Sequence, residues 1–270
     1  MRILLTNYLK DGNEAADINK LQGGPIASAR SWFDEWVGVE ASALDDAVIE
    51  RLRPRVYLCM AEEEKERIYM KVHDAWGRTD RQEGLFPADV TAGVVYILRN
   101  PLDLVRSCAC HWGISMEKAV ENLCNPDFAL LGHSEDGIRD QLSQKLGSWT
   151  SHTQSWLDES GLPCCLVRYE DLLNNPEKVF GDVIKFCGLP FNKERVRKAV
   201  AFSSFSELQR QEREKGFKER SMKAEDHFFR RGKAGSWREE LSPDLAMRLI
   251  ESQGKTMRRF GYLDENNHPV

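Results

Sequence analysis

A continuous apolar run at residues 94–98, Val-Val-Tyr-Ile-Leu, breaks at once into Arg99, Asn100 and Pro101. The run has no polar alternation, as suits a parallel strand buried on both faces. Asn100 is placed to cap a helix that has Pro101 at its first position and Asp103 in its first turn. Strand, turn and helix in that order form the repeating unit of an α/β sheet. The unit sets Arg99 at the carboxyl end of a buried strand and Ser107 two turns into the helix, the edge at which such sheets take ligands. Two readings of Arg99 stay open on the residues alone: it meets an anionic ligand, or it pairs with a nearby carboxylate.

The rest of the chain is compatible with that unit. Its 270 residues suit one large α/β unit, so residues 1–270 are expected to form a single domain with a central, mostly parallel sheet flanked by helices. With 41% hydrophobic and 30% charged residues a sizeable core is available and disorder is disfavoured. A net charge of −5 argues against nucleic acid or an anionic membrane as general partners. The balance reverses over residues 209–238, where ten Lys or Arg face five Asp or Glu. That run is read either as a dock for something negative or as a solvated helix face laced with ion pairs.

Seven cysteines, an odd number without C-x-x-C spacing, are expected to be mostly buried thiols in a reducing compartment. No signal-peptide pattern opens the chain, and no run approaches the ~18 apolar residues of a membrane span. A cytoplasmic protein is expected.

Residues 67–76, Arg-Ile-Tyr-Met-Lys-Val-His-Asp-Ala-Trp, read as a second strand in which Met70 and Val72 point one way while Lys71 and His73 share the other side. A lysine and a histidine together on a core strand are either catalytic or structurally satisfied. Residues 18–30, which contain Gly-Gly-Pro at 23–25, read as loop, and Trp32, Phe33 and Trp36 as the core face of a helix over residues 29–37. Residues 43–60 read as two short helices broken at Pro54. Residues 114–146 read as polar and helical, and His152 as exposed between Trp149 and Trp156. A third strand over residues 163–172 ends in Tyr169, Glu170 and Asp171, and Pro176 opens the next helix. A helix near Lys193 leads into a loop around Ser203, Ser204 and Phe205. Near the end, Phe229-Arg230-Arg231-Gly232-Lys233-Ala234-Gly235 precedes a helix capped at Ser242-Pro243. Glycines beside adjacent arginines let backbone approach a ligand while guanidinium groups fork onto oxyanions, although a surface loop has the same composition.

Taken in order, these stretches resemble the sulfotransferases that use 3'-phosphoadenosine 5'-phosphosulfate (PAPS), in their cytosolic and bacterial small-molecule branch. Tyr96 to Asp103 with Ser107 is similar to the family's 3'-phosphate motif, and the resemblance implies that Arg99 and Ser107 bind that phosphate. Lys71-Val72-His73 resembles the lysine-x-histidine strand, implying His73 as catalytic base and Lys71 as a charge-stabilising partner. By the same resemblance Tyr169 reaches the nucleotide and Phe205 packs on adenine. Arg230, Arg231 and Gly232 belong to a loop that closes over the 3'-phosphate. The acceptor implied is a small molecule bearing a hydroxyl or amine, with PAPS as sulfuryl donor and no metal. A P-loop kinase is disfavoured because G-x-x-x-x-G-K-[ST] does not occur.

One family element departs. Relatives open with a strand and a phosphate-cradling loop of the form Tyr-Pro-Lys-Ser-Gly-Asn-Thr-Trp. Tyr8 to Asn13 is superficially similar, but Glu14 and Asp17 would set negative charge at the phosphate. Residues 2–9 instead resemble the helix that follows the loop. The expectation is therefore a sulfotransferase fold whose N-terminal strand and loop are missing from this chain, with a nucleotide-binding relative of low activity as the alternative.

Overall fold

The computed structural model describes residues 1–21, 24–134, 137–220 and 226–270. Gly23 of the Gly-Gly-Pro loop, and Lys223 and Glu225 of the basic stretch, lie outside them. Helices α1 (Arg2–Lys10), α2 (Arg30–Val37) and α3 (Asp46–Glu63) precede strand β1 (Val94–Leu98), which α4 (Pro101–Trp112) and α5 (Met116–Cys124) follow. Short strands β2 (Ala129–Leu130), β3 (His133–Ser134), β4 (Gly137–Ile138) and β5 (Gln144–Lys145) come next, then α6 (Trp149–Gln154) and β6 (Cys164–Arg168). The chain closes with α7 (Tyr169–Asn174), α8 (Pro176–Phe186), α9 (Lys193–Phe202), α10 (Phe205–Lys215), α11 (Trp237–Glu240) and α12 (Pro243–Arg259). Contacts divide it into two compact units: Met1–Gln22, Val95–Leu123 and Cys165–Val270 form one, Gly23–Val94 and Cys124–Cys164 the other.

In the first unit β1 pairs with β6 in a parallel sheet. The turn after β1 folds as its residues dictate: Asn100 accepts the Leu102 N–H at 3.0 Å, Pro101 opens α4, and Gly113 closes it at φ 64°. Burial on both faces does not hold. Tyr96 and Leu98 are core residues, whereas Ile97 is 47% exposed and Leu166 of β6 is 39% exposed. Strand side chains alternate, and within this unit the buried set lies on one face. Residues 169–172, expected to extend β6, turn helical instead; Glu170 and Asp171 fall in the first turn of α7, where carboxylates suit the helix dipole. Phe180, Val183 and Ile184 of α8 and Leu249 and Met257 of α12 are fully buried, as is Tyr8 of α1, edge-on to Phe180. Ser242 caps α12 by accepting the Leu245 N–H, and Pro243 opens it.

In the second unit Phe33 of α2 sits in a cluster with Ala41, Ile49, Val56 and Leu142, with Trp32 and Trp36 packed against it. Pro54 does not break the chain into two helices. It lies buried inside the single helix α3, next to Arg53, whose guanidinium forks onto Asp74 at 2.7 and 3.0 Å. A mid-helix proline costs about 3 kcal/mol. Burial of this face, with Tyr57 stacked between Trp32 and Phe86, outweighs that cost.

The expected strand over residues 67–76 shrinks to one parallel bridge, Ile26 to Lys71. The Ala27 N–H donates to Lys71 O at 2.9 Å, and in this register the next rung would require an N–H from Pro25, which has none. The described residues of 125–146 are not helical either: β2 pairs antiparallel with β5, and β3 with β4. Gly132 explains the pairing, because a Cβ there would lie 2.8 Å from the Ser143 N and 2.9 Å from the Gln141 O. All seven cysteines are free; six are half-buried residues and Cys59 is exposed, and although burial raises the Cys108 thiol's pKa, the expectation of mostly buried thiols is not met. No helix of the described residues is long and apolar enough to cross a membrane.

Candidate active site

Because β1 and β6 are parallel neighbours, their carboxyl ends lie side by side, and each delivers a side chain to the same edge. Arg99 follows β1 and Tyr169 follows β6; the guanidinium rests over the tyrosine ring, 4.6 Å from its centroid. Burial raises the Tyr169 phenol's pKa, with the Arg99 cation pulling the other way, so the ring keeps its O–H. Next to it, Glu170 accepts the Asn100 N–H and the Tyr262 O–H, each at 2.9 Å. That carboxylate fixes the turn that carries Arg99. Ser107 is exposed on α4, one turn beyond Asp103.

The glycine-arginine loop of residues 228–237 is held at both ends. At one end, buried Glu212 of α10 accepts the N–H groups of Phe228 and Phe229 at 2.7 and 2.9 Å, and Gln209 donates to the Phe229 carbonyl at 2.9 Å. At the other, buried Asp103 accepts the Gly235 and Trp237 N–H groups at 2.7 and 3.0 Å. Asp103 therefore does more than favour the helix dipole. Between the two anchors Gly232 sits at φ 61° against Phe205, where a Cβ would come within 2.3 Å of the ring. Phe205 itself opens α10, so the loop expected around it is only the junction Ser203–Ser204.

Arg230 forks onto Glu240 at 2.5 and 3.0 Å, and Arg231 meets Glu239 at 2.9 Å and Glu240 at 3.5 Å. The Arg230 bond, against a smaller burial effect, holds the Glu240 carboxyl below the usual range. Elsewhere in the basic stretch the solvated reading is correct: exposed Arg210 pairs with Glu207 and Glu214, both at 2.6 Å.

Lys71 and His73 belong to the second unit, both half-buried and two residues apart on an extended segment, hence on one side of it. His73 Nδ1 lies 2.9 Å from Gln144 Oε1. His152, expected to be exposed, is half-buried and donates its Nε2–H to the His73 carbonyl at 3.0 Å. Burial lowers its pKa, which keeps the ring neutral. Gln144 and Glu212 carry no motif of their own, whereas Asp103 had two sequence signals, its place in the first turn after Pro101 and in the stretch that resembles the 3'-phosphate motif.

Residues 85–261 match the family described as sulfotransferase domain. The chain belongs to the sulfotransferase family. Cytosolic sulfotransferase 16 of Arabidopsis thaliana is 29% identical over 68% of this chain and 57% of its own length. Sulfotransferase 1A1 of the dog is 31% identical over 43% of this chain and 40% of its own length. This sulfotransferase-family chain thus spans about half the length of such relatives. Among solved structures, a retinol dehydratase with androsterone and the inactive cofactor PAP shares the fold at a TM-score of 0.55, with 18% identity over 81% of this chain and 62% of that one. A mouse sulfotransferase complexed with PAP shares it at 0.52, with 18% identity over 86% and 81%.

The residues at hand fit a sulfotransferase's phosphate-bearing nucleotide. Arg99, Arg230 and Arg231 supply planar donors and Ser107 a hydroxyl, the set that oxyanions select. Glu240 already occupies the Arg230 fork with the bidentate geometry that a phosphate would take.

Proposed function

We propose that the chain binds PAPS and transfers its sulfuryl group to a hydroxyl or amine of a small-molecule acceptor. The observation that carries this reading is Arg99 stacked on Tyr169 at the carboxyl edge of the parallel pair, within a sulfotransferase-family chain. PAPS, when bound, supplies the sulfuryl group. Arg99 and Ser107 hold the 3'-phosphate, with Arg230 and Arg231 closing over it and Tyr169 and Phe205 contacting the nucleotide. Gly232 lets the loop lie flat on Phe205. His73 takes the proton of the acceptor as it attacks sulfur, which requires a neutral imidazole. Lys71 offsets the charge that develops on the oxygens around the reacting centre. Relatives bearing the name cytosolic sulfotransferase support a cytoplasmic location.

The second reading is a nucleotide-binding relative with low activity. It is favoured by the engagement of both loop arginines with carboxylates, which a phosphate would have to displace. One experiment separates the two. Transfer from labelled PAPS to simple phenols and amines is measured beside the melting temperature with 3',5'-ADP, for the unsubstituted chain and for His73→Ala. Transfer that falls by about 10²–10⁴ with an unchanged nucleotide-induced shift is the expected result. Retained transfer places the base elsewhere, and a nucleotide shift without any transfer selects the second reading.

A further inference from the structure

Gln144 lies on β5, in a stretch that holds no recognisable motif, yet it is only 3% exposed and faces His73. The backbone explains the meeting. Segment 26–29 bridges to Lys71 on one side and to Gln141 on the other, while the Ala75 N–H donates to the Lys145 carbonyl at 2.8 Å. Residues 141–145 are thereby laid alongside residues 73–75.

Which amide atom Gln144 presents to the histidine is decided by its other contacts. Gln144 Nε2 lies 3.4 Å from the Leu142 carbonyl and 3.2 Å from Gln141 Oε1, which in turn accepts the hydroxyl of buried Ser28 at 2.9 Å. A backbone carbonyl only accepts, so the amide atom facing Leu142 is the nitrogen, and the atom facing His73 is the oxygen. An amide oxygen only accepts as well. His73 Nδ1 must therefore carry the proton, and in the neutral ring the lone pair falls on Nε2.

We propose that Gln144 is a positioning residue that fixes His73 in its Nδ1–H tautomer, making Nε2 the basic atom, with His152 securing the same residue through its carbonyl. The inference rests on the reading of His73 as the base. In that reaction the acceptor's proton passes to Nε2 while the acceptor oxygen or nitrogen bonds to sulfur and the bond from sulfur to the 5'-phosphate oxygen breaks. The resulting imidazolium keeps its Nδ1–H on Gln144 Oε1. Ser28 and Gln141 hold the amide against rotation, so the tautomer is set before any ligand arrives.

The test is spectroscopic and needs no acceptor. The chain is labelled with ¹⁵N-histidine and its ring nitrogens are read by two-bond ¹H–¹⁵N correlation at pH about 8, above the ordinary histidine range. His73 is assigned from the signal set lost in His73→Asn. The expected result is an Nδ1–H pattern for His73 in the unsubstituted chain, retained in Gln144→Glu, which still accepts, and shifted towards Nε2–H in Gln144→Leu, which does not. An Nε2–H pattern in the unsubstituted chain overturns the proposal, as does an Nδ1–H pattern that persists in Gln144→Leu. Should Gln144→Leu fail to fold, the unsubstituted spectrum still decides. Failure here is distinct from failure of the proposed function: transfer retained in His73→Ala removes the base and leaves the tautomer intact, whereas His73-dependent transfer with an Nε2–H pattern does the reverse.

Discussion

Gly232 illustrates how a single residue can be legible in its chemistry and illegible in its partner. Its setting, beside two arginines, pointed to close backbone approach, and the approach is there, but to the ring of Phe205. Phe205 was legible only through its resemblance to a nucleotide-packing position. The contact between the two depends on a fold that brings residues 27 apart together, and no local pattern encodes it. Gly232→Ala meets both a left-handed φ of 61° and a 2.3 Å clash. It is expected to destabilise the loop by about 1–3 kcal/mol and to weaken 3',5'-ADP binding. Chemical denaturation with and without the nucleotide checks this; an unchanged midpoint in both conditions contradicts it. Arg99 was legible because a strand end announces itself through the break from apolar to polar residues, whereas Tyr169, read inside a strand over residues 163–172, was legible as a site residue only through the resemblance. Gln144 was not, because an isolated glutamine in polar surroundings carries no periodic or capping signal.

Among the elements, α4 follows its local sequence most closely: Asn100 caps it and Pro101 opens it as expected, and Gly113, which the sequence reading did not single out, closes it. Its Asp103 also joins the helix to the C-terminal loop, a tie between residues more than a hundred positions apart that spacing rules do not reach. Asp103→Ala leaves two N–H groups without their acceptor, and such losses cost about 1–3 kcal/mol each when buried. Faster hydrogen exchange at Gly235 and Trp237, with α12 unaffected, is the expected outcome; unchanged protection would remove Asp103 from this role. The opposite face of the loop responds to pH. The Glu240 carboxyl is held below its ordinary range, first by its bond to Arg230, so its contribution is present above the usual carboxylate pKa. That contribution is lost as pH falls through the depressed value. Protection across residues 228–237, taken relative to the intrinsic exchange rate at each pH, should therefore fall on acidification in the unsubstituted chain and fall less in Glu240→Gln. Two misread elements have local causes as well: Pro25 withholds the rung that would extend the Lys71 bridge, and tertiary burial carries α3 through Pro54.

For the molecule as a whole, α/β character followed from periodicity and caps, whereas the division into two compact units did not. The first unit gathers Arg99, Ser107, Tyr169, Phe205, Arg230, Arg231 and Gly232; the second carries Lys71 and His73. The second unit buries an ion pair. Arg53 and Asp74 are 4% and 3% exposed at their side chains, and removing one partner strands a buried charge. Asp74→Ala is expected to destabilise by about 3–5 kcal/mol, read as a lowered melting temperature, while a loss within experimental error would show the pair to be expendable. If the Arg99 end of the parallel pair recognises a nucleotide by its 3'-phosphate, as proposed, titration calorimetry with 3',5'-ADP and with 5'-AMP will distinguish the two ligands. 3',5'-ADP is expected to bind about tenfold to a hundredfold more tightly than 5'-AMP, and Arg99→Ala to remove most of that difference. Equal affinity for the two nucleotides, or a preference undiminished in Arg99→Ala, would overturn this assignment.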